Sequence, residues 1–263
     1  MRYILFDINE TIISFDSTDE ITIEELSNRI LCKHVKHPNG EGMSYYDYWK
    51  MIKSNNSFKT FFNDTVGIKE HYSKEFNTLK TILENEKHLP VVLFKSFLKV
   101  IDMIMENNLD IGIIFRSFGN DALFVENQLK IYMNNKYNKN VSASKYVLNR
   151  IDFGTFSLKK LDDTSNHIGF DTSSLSIWFE SLEDQFIFIK DDYEFWSKNN
   201  KVKESSKIIF ESEKFIRFFD DNSCVHIHSE SGSPVSNLFF RVDTYEAICD
   251  ENYYINLIKQ QCQ

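Results

Sequence analysis

The sequence predicts an α/β fold, a parallel central sheet with helices packed on it, and three observations carry that prediction. First, apolar runs at residues 2–6, 109–115 and 214–219 each stop abruptly at polar residues, as buried strands do. Second, residues 91–105 and 121–133 repeat apolar positions at helical spacing on either side of the second run. Strand, loop and helix recurring in this order imply parallel pairing, because parallel neighbours need a crossover. Third, 263 residues with 42% hydrophobic and 26% charged side chains can bury a large core without disulfides or metals. Aromatic residues reach 15%, with 24 Phe, so rings must supply much of that core.

Element by element, Arg2 to Phe6 reads as a buried strand that ends at Asp7. Residues 12–90 are more polar and predict helices near 22–32, 45–53 and 68–86, with a turn at His37-Pro38-Asn39-Gly40. In the first of these helices Ile23, Leu26 and Ile30 suit a buried face, and Glu24, Glu25 and Arg29 an exposed one. Pro90 then stands just inside the start of a helix over 91–105, which Asn107-Asn108 ends. Leu109 to Phe115 is the second strand, ending at Arg116-Ser117-Phe118-Gly119, and a helix follows over 121–133. Residues 134–140 read as a polar surface loop, and the Ser/Thr/Asp-rich tract 151–175 as a long excursion over the sheet edge. Phe186 to Ile189 is another apolar run. Lys214 to Phe219 is a strand that stops at Asp220-Asp221, and Leu238 to Val242 and Tyr245 to Ile258 predict a last strand and a closing helix.

A net charge of −9 argues against a nucleic-acid scaffold, since the chain repels phosphate backbones at long range. A small phosphorylated ligand stays possible where a local site carries the opposite sign. Cys32, Cys224, Cys249 and Cys262 lie far apart with no CxxC pair, so free thiols are expected rather than a zinc knuckle or a Cys249–Cys262 disulfide. The opening MRYILFDINETI does not read as a signal peptide, and no apolar run approaches the ~18 residues of a membrane span. A reduced, cytoplasmic compartment is the expectation, with no membrane partner.

Ligands of open α/β sheets bind beyond the carboxyl ends of the strands. The strand ends here offer Asp7, Ser117 and the pair Asp220-Asp221, with Lys207 thirteen residues before that pair. If the strands are neighbours, carboxylates, a hydroxyl and an ammonium converge. Carboxylates are hard oxygen ligands suited to Mg²⁺. Ser117 and Lys207 can donate to phosphate oxygens, which leaves Asp7 facing phosphorus as a nucleophile. Lys207 is preferred to Lys190, Lys198, Lys201 and Lys203 because an apolar run and then the terminal strand follow it closely.

Ile4-Leu5-Phe6-Asp7-Ile8-Asn9-Glu10-Thr11-Ile12 resembles the first motif of the haloacid dehalogenase (HAD) superfamily, an apolar strand followed by Asp-x-Asp-x-Thr. Residues 111–117 resemble its second motif, Ser206-Lys207 its third, and Phe218-Phe219-Asp220-Asp221-Asn222 its fourth, in the family's order. Together these segments cover about a fifth of the chain. The resemblance implies a Rossmann-like three-layer core over residues 1–14 and 90–263, with a mainly helical cap inserted over 15–89. It implies an aspartyl-phosphate at Asp7 and Mg²⁺ between Asp7, the main-chain carbonyl of Asn9 and an acid of the pair Asp220 and Asp221. It also implies a phosphate held by Ser117, Phe118 and Lys207. The cap aromatics Tyr45, Tyr46, Tyr48 and Trp49 would line a substrate pocket or pack the cap itself.

One position departs from the pattern. The second acid of the first motif, which in family phosphatases protonates the leaving group, is Asn9. An amide cannot cycle a proton, and losing general acid–base help typically costs about 10²–10⁴-fold. Two functions therefore stand. The chain is a Mg²⁺-dependent phosphohydrolase or phosphotransferase of a small phosphorylated molecule, favouring good leaving groups such as acyl phosphates and phosphoanhydrides. Alternatively it is a non-catalytic phosphate-binding or protein-interaction module. His226 and His228 would share one face of an extended segment without a third ligand, and Asp191-Asp192 reads as a strand-end or helix-start pair. The nucleotide cradles GxxxxGK[ST] and GxGxxG are absent from the sequence.

Overall fold

A computed structural model describes residues 1–14, 21–52, 66–86, 89, 92–161, 168–222, 225–228 and 238–260. The strands are β1 (Arg2–Asp7), β2 (Ile111–Ser117), β3 (Ser144–Arg150), β4 (Thr155–Lys160), β5 (Ile168–Asp171), β6 (Phe186–Asp191), β7 (Lys207–Phe210), β8 (Phe215–Asp220), β9 (Val225–His228) and β10 (Phe239–Arg241). The helices are α1 (Ile23–His34), α2 (Tyr45–Ile52), α3 (Val66–His71), α4 (Ser73–Glu86), α5 (Lys95–Glu106), α6 (Ala122–Tyr137), α7 (Thr172–Glu180), α8 (Tyr193–Lys198), α9 (Thr244–Cys249) and α10 (Tyr253–Lys259). The central sheet has eight strands in the order β10-β8-β1-β2-β6-β3-β4-β5. From β10 to β3 every pairing is parallel, while β4 and β5 add antiparallel edge strands. β7 and β9 form a separate parallel pair.

Both faces of the sheet are covered, and β1 shows why Tyr3 to Phe6 are aromatic or apolar without a break. Ile4 and Phe6 point into a core shared with α1, α4, α5, α6, α9 and α10. Tyr3 and Leu5 point to the other face, where α7 and the β7–β9 pair lie. A strand buried on both faces has no polar alternation. The rings do the packing that the composition demanded. Phe6 stacks on Phe219 at 5.0 Å and meets Phe97 and Tyr254 edge-on, each at 5.1 Å. Burying each such side chain contributes about 1.5–3 kcal/mol. A third, smaller cluster joins Leu31, Cys32, Trp49, Ile68 and Phe76 of α1 to α4, with Tyr245 of α9 packed against it.

The elements differ from the sequence reading at several points, each with a local cause. The helix after Pro90 starts at Lys95, not 91. The Phe94 N–H donates to the Ile12 carbonyl at 2.9 Å and the Val92 N–H to Gln128, so the chain is tied down before the helix begins. Pro90 and Val91 lie outside the described residues. Residues 134–137 are not loop but the last turn of α6, where the Tyr132 and Tyr137 hydroxyls donate to Asp102 and Lys136 pairs with it at 2.6 Å. Asn138, at φ 50°, then ends the helix. Within the tract 151–175 the described residues form β4, β5 and the start of α7 at the sheet edge, and residues 162–167 lie outside the described residues. The segment 68–86 breaks into α3 and α4 around Tyr72, and the closing helix into α9 and α10.

Cys32 and Cys249 are free thiols, whereas Cys224 and Cys262 fall outside the described residues. Among the described residues no helix is long and apolar enough to cross a membrane.

A cavity of about 690 Å³ opens between α1, α4 and α6, lined by Ser14, Ile23, Leu26, Leu83, Glu86 and Phe124 among others. Burial pushes the Glu86 carboxyl up from near 4.5 to about 7, against the pull of Lys95. A group raised in the folded state stabilises fully below its unfolded value and loses that contribution as pH rises through the folded value. The stability of the wild type relative to Glu86→Gln should therefore fall between about pH 4.5 and 7. Urea midpoints of both proteins across that range check this; a constant gap would show that Glu86 titrates as it does in the unfolded chain.

Candidate active site

Strand register alone brings the predicted residues to one edge. Asp7 pairs with Arg116 in β2, and Phe6 with Phe219 in β8. The next residues, Ser117 and Asp220, thus emerge beside the end of β1. Beyond Asp7 the chain turns sharply, with the Ile8 carbonyl accepting from the N–H groups of Thr11, Ile12 and Ile13. Glu10 sits in this turn at φ 54°, a conformation that costs a residue with a Cβ about 1 kcal/mol or more. Its surroundings hold it there. The Glu10 carbonyl accepts from the Thr244 hydroxyl at 2.6 Å, and its carboxylate meets Arg29 at 2.9 Å and Lys33 at 2.5 Å.

Lys207, at the start of β7, is the junction of the site. Its ammonium donates to Asp7 Oδ1 at 2.5 Å and to Asp220 Oδ2 at 2.8 Å, with all three residues buried. The ammonium also lies 5.2 Å from the centre of the Phe118 ring. Burial works against its charge, but Asp220 and Asp7 more than compensate and hold its pKa above the ordinary lysine value. Asp7 is pushed well up by burial, with Lys207 opposing and Asp220 and Asp221 adding to the rise. Asp221 is also raised, by burial first, then by Glu10 and Asp220 against Lys33. The Asp220 carboxylate is oriented by the Asn222 N–H at 2.8 Å.

Asp7, Asp220 and Asp221 each offer one oxygen within 4.8 Å of the others. Three buried hard oxygen donors gathered in this way could hold a metal ion. His226 and His228 join no such cluster among the described residues.

Ser117 is buried at the end of β2, and its Oγ accepts the Gly119 N–H at 3.0 Å. A Cβ on Gly119 would come within 2.7 Å of Asp121 Oδ2, so a larger residue here would push that carboxylate aside. Asp121 Oδ2 in turn accepts from Asn9 Nδ2 at 3.1 Å. The Asn9 amide therefore lies beside the Ser117–Gly119 loop. Phe118 turns its ring onto Trp196 at 4.8 Å, nearly parallel. Any phosphate contact from Phe118 thus falls to its main chain.

Every predicted site residue is at this strand edge, but the sequence reading missed several neighbours. Arg29, assigned to an exposed helix face, turns inward to Glu10. Lys33, in the last turn of α1, reaches Asp221 at 3.0 Å as well as Glu10, so α1 supplies a cation to the site. Arg241 adds a second tie, pairing with Asp47 of α2 at 3.1 and 3.2 Å. Asp191 forms a buried pair with Arg116, and Asp192 caps α8. No family model, curated protein or solved structure matches the chain. Trp49 is buried among α1 to α4, Tyr45 and Tyr46 pack against the same cluster, and Tyr48 stacks on His37 at 3.8 Å. Of these, Tyr46 also lies under the Lys33 ammonium at 5.4 Å.

Proposed function

We propose that the chain is a Mg²⁺-dependent phosphohydrolase or phosphotransferase of the HAD type, acting on a small phosphorylated molecule through an aspartyl-phosphate at Asp7. The reading is carried by Lys207, which joins Asp7 and Asp220 at 2.5 and 2.8 Å beside Asp221, four residues from three separate strand ends. Asp7 Oδ attacks phosphorus, and the leaving group departs on the opposite side. Lys207, the Ser117 hydroxyl and the Phe118 main chain hold the phosphate oxygens, where charge gathers in the transition state. Asp7, Asp220 and Asp221, with the Asn9 carbonyl, would hold the metal, which would offset the crowded negative charge and keep Asp7 ionised.

On this reading the core is a Rossmann-like three-layer sandwich and residues 15–89 are its cap, which packs on the sheet through Leu26, Ile30, Leu79 and Leu83 and carries its own cluster around Trp49. Substrates with good leaving groups suit Asn9, which offers no proton. The compartment is cytoplasmic.

Incubation with acetyl phosphate and Mg²⁺ should add one phosphoryl group to the peptide containing Asp7, read by mass spectrometry after acid quench. Chelation should remove the label. Asn9→Asp should raise turnover of an aryl phosphate. The amide at position 9 favours one competing reading, a phosphate-binding module without turnover. Phosphate binding by calorimetry, with no label and no turnover in either protein, would decide for it.

A further inference from the structure

The cavity between α1, α4 and α6 holds chemistry that the strand edge does not use. Among the described residues, none of Asp7, Ser117, Lys207, Asp220 and Asp221 lines it. At about 690 Å³ it falls within the range of small-molecule sites. Ile23 and Leu26 of α1, Leu83 of α4 and Phe124 of α6 give it apolar walls. Thr22 and Gln128 also line it, but both have partners: the Thr22 hydroxyl bonds with Glu25, and Gln128 Oε1 accepts the Val92 N–H at 2.8 Å. Glu86 is the exception. It is only 8% exposed, and its carboxylate meets no hydrogen-bond donor among the described residues. Neither of its oxygens is sealed off as Asn9 Oδ1 is, so the carboxylate stays reachable from the cavity it lines. The charges around it do not pair with it. Lys95 of α5 pulls on Glu86, but it is exposed and lies 3.8 Å from Glu251. On α9 the Cys249 thiol also feels Glu86, and burial pushes that thiol up to about 11, so it stays neutral. Among the described residues, α1 and α6 bring no cation to the cavity.

We propose that this cavity is a binding site for a small apolar amine, whose ammonium pairs with Glu86 and whose hydrocarbon body packs on Leu26, Leu83 and Phe124. The inference goes beyond the phosphoryl-transfer reading and does not depend on it. Other ligand classes fit the walls less well. An anion would be repelled by the ionised carboxylate and would find no cation to receive it. An alcohol would fill the same space but leave the buried charge unpaired. A metal ion needs several oxygen ligands, and a single carboxylate among apolar side chains does not supply them. An ammonium on an apolar body meets both demands, because it brings the missing countercharge and charge-assisted donors into a space that otherwise excludes them. Binding favours the ionised form of Glu86, which burial otherwise opposes. With walls from α1 and α4 on one side and α6 on the other, the bound amine would also tie these helices together.

Calorimetry of the full chain with phenylbutylamine, phenylbutanol and phenylbutyrate tests this, since the three share one body and differ in the head group. Near pH ~8 the wild type should bind the amine about tenfold or more tightly than the alcohol, the size of one hydrogen bond to a charged group, and should not bind the acid. The amine keeps its proton below about pH 9. Its advantage should therefore shrink as pH falls from about 8 to 5 and Glu86, raised to about 7, takes up a proton. Glu86→Gln should bring the amine-to-alcohol ratio near one while still admitting the alcohol. Leu83→Trp, which fills the chamber, should abolish binding of both. Should Glu86→Gln fail to fold, the pH dependence of the wild type decides. Equal binding of amine and alcohol, a preference that survives Glu86→Gln or is flat with pH, or no binding of any of the three overturns the inference. So does displacement of the amine by Mg²⁺, which would put it at Asp7, Asp220 and Asp221 instead. None of these results touches labelling of Asp7, so the phosphoryl-transfer reading stands or falls separately.

Discussion

Asp7→Asn should abolish labelling by acetyl phosphate and lower turnover by about 10⁴-fold or more, while leaving the protein at least as stable as the wild type. The first half follows from chemistry, since an amide oxygen is a poor nucleophile toward phosphorus. The second half follows from the charge at this strand edge. Burial, with Asp220 and Asp221, pushes Asp7 up toward its neutral form. Four acids, Asp7, Asp220, Asp221 and Glu10, face three bases, Lys207, Lys33 and Arg29, among the residues described above. Removing one buried negative charge relieves an excess. Lys207 keeps Asp220 at 2.8 Å, so no ammonium is stranded. Urea denaturation at neutral pH in a chelating buffer, beside the labelling assay, reads both halves. A label that persists on Asp7→Asn would place the nucleophile elsewhere, and a large loss of stability would mean that Lys207 depends on Asp7 for its charge balance.

What could be read in advance was set by local rules. β1, β2 and β8 are buried on both faces, so apolar residues dominate them, with the buried Arg116 and Arg217 as exceptions, and a carboxylate or hydroxyl marks each strand end. Those ends carry Asp7, Ser117 and Asp220-Asp221. β3 was not legible because it is half-buried, and its run of Ser, Lys, Tyr, Val, Leu, Asn and Arg lacks that contrast. β4 alternates buried and half-buried positions through most of its length, in keeping with antiparallel pairing at a sheet edge. Arg29 was misplaced, and Lys33 passed over, for a different reason. Helical periodicity assigns charged residues outward, and it cannot foresee a carboxylate delivered by Glu10 from a left-handed turn 19 and 23 residues earlier in the chain. Asp121 stands where an N-cap would, yet its side chain makes no capping hydrogen bond and accepts from Asn9 instead. That pairing spans 112 positions, and no local signal carries it.

Asp191→Ala should be the most damaging substitution for stability away from the reacting groups. Arg116 is fully buried at the end of β2, and its guanidinium grips Asp191 through two bonds, Nε to Oδ2 at 2.8 Å and Nη2 to Oδ1 at 2.5 Å. Its third contact is Nη1 to the Ile208 carbonyl at 3.0 Å. One side chain thus ties β2 to β6 and to β7, the strand that carries Lys207. Loss of the Asp191 carboxylate would leave a buried guanidinium with a single carbonyl, a cost of about 3–5 kcal/mol. For a chain of this size that lowers Tm by roughly 10 °C. Replacing both partners, with Arg116→Met and Asp191→Leu, strands no charge and should recover most of the loss, because an apolar pair of similar volume can match a buried ion pair. The comparison also separates stability from chemistry. If the double variant regains its Tm but binds phosphate more weakly, the pair's contribution is the placement of β7 and, through it, of Lys207. If Asp191→Ala melts within a degree or two of the wild type, water reaches Arg116 and the pair is not the sealed bolt its geometry describes.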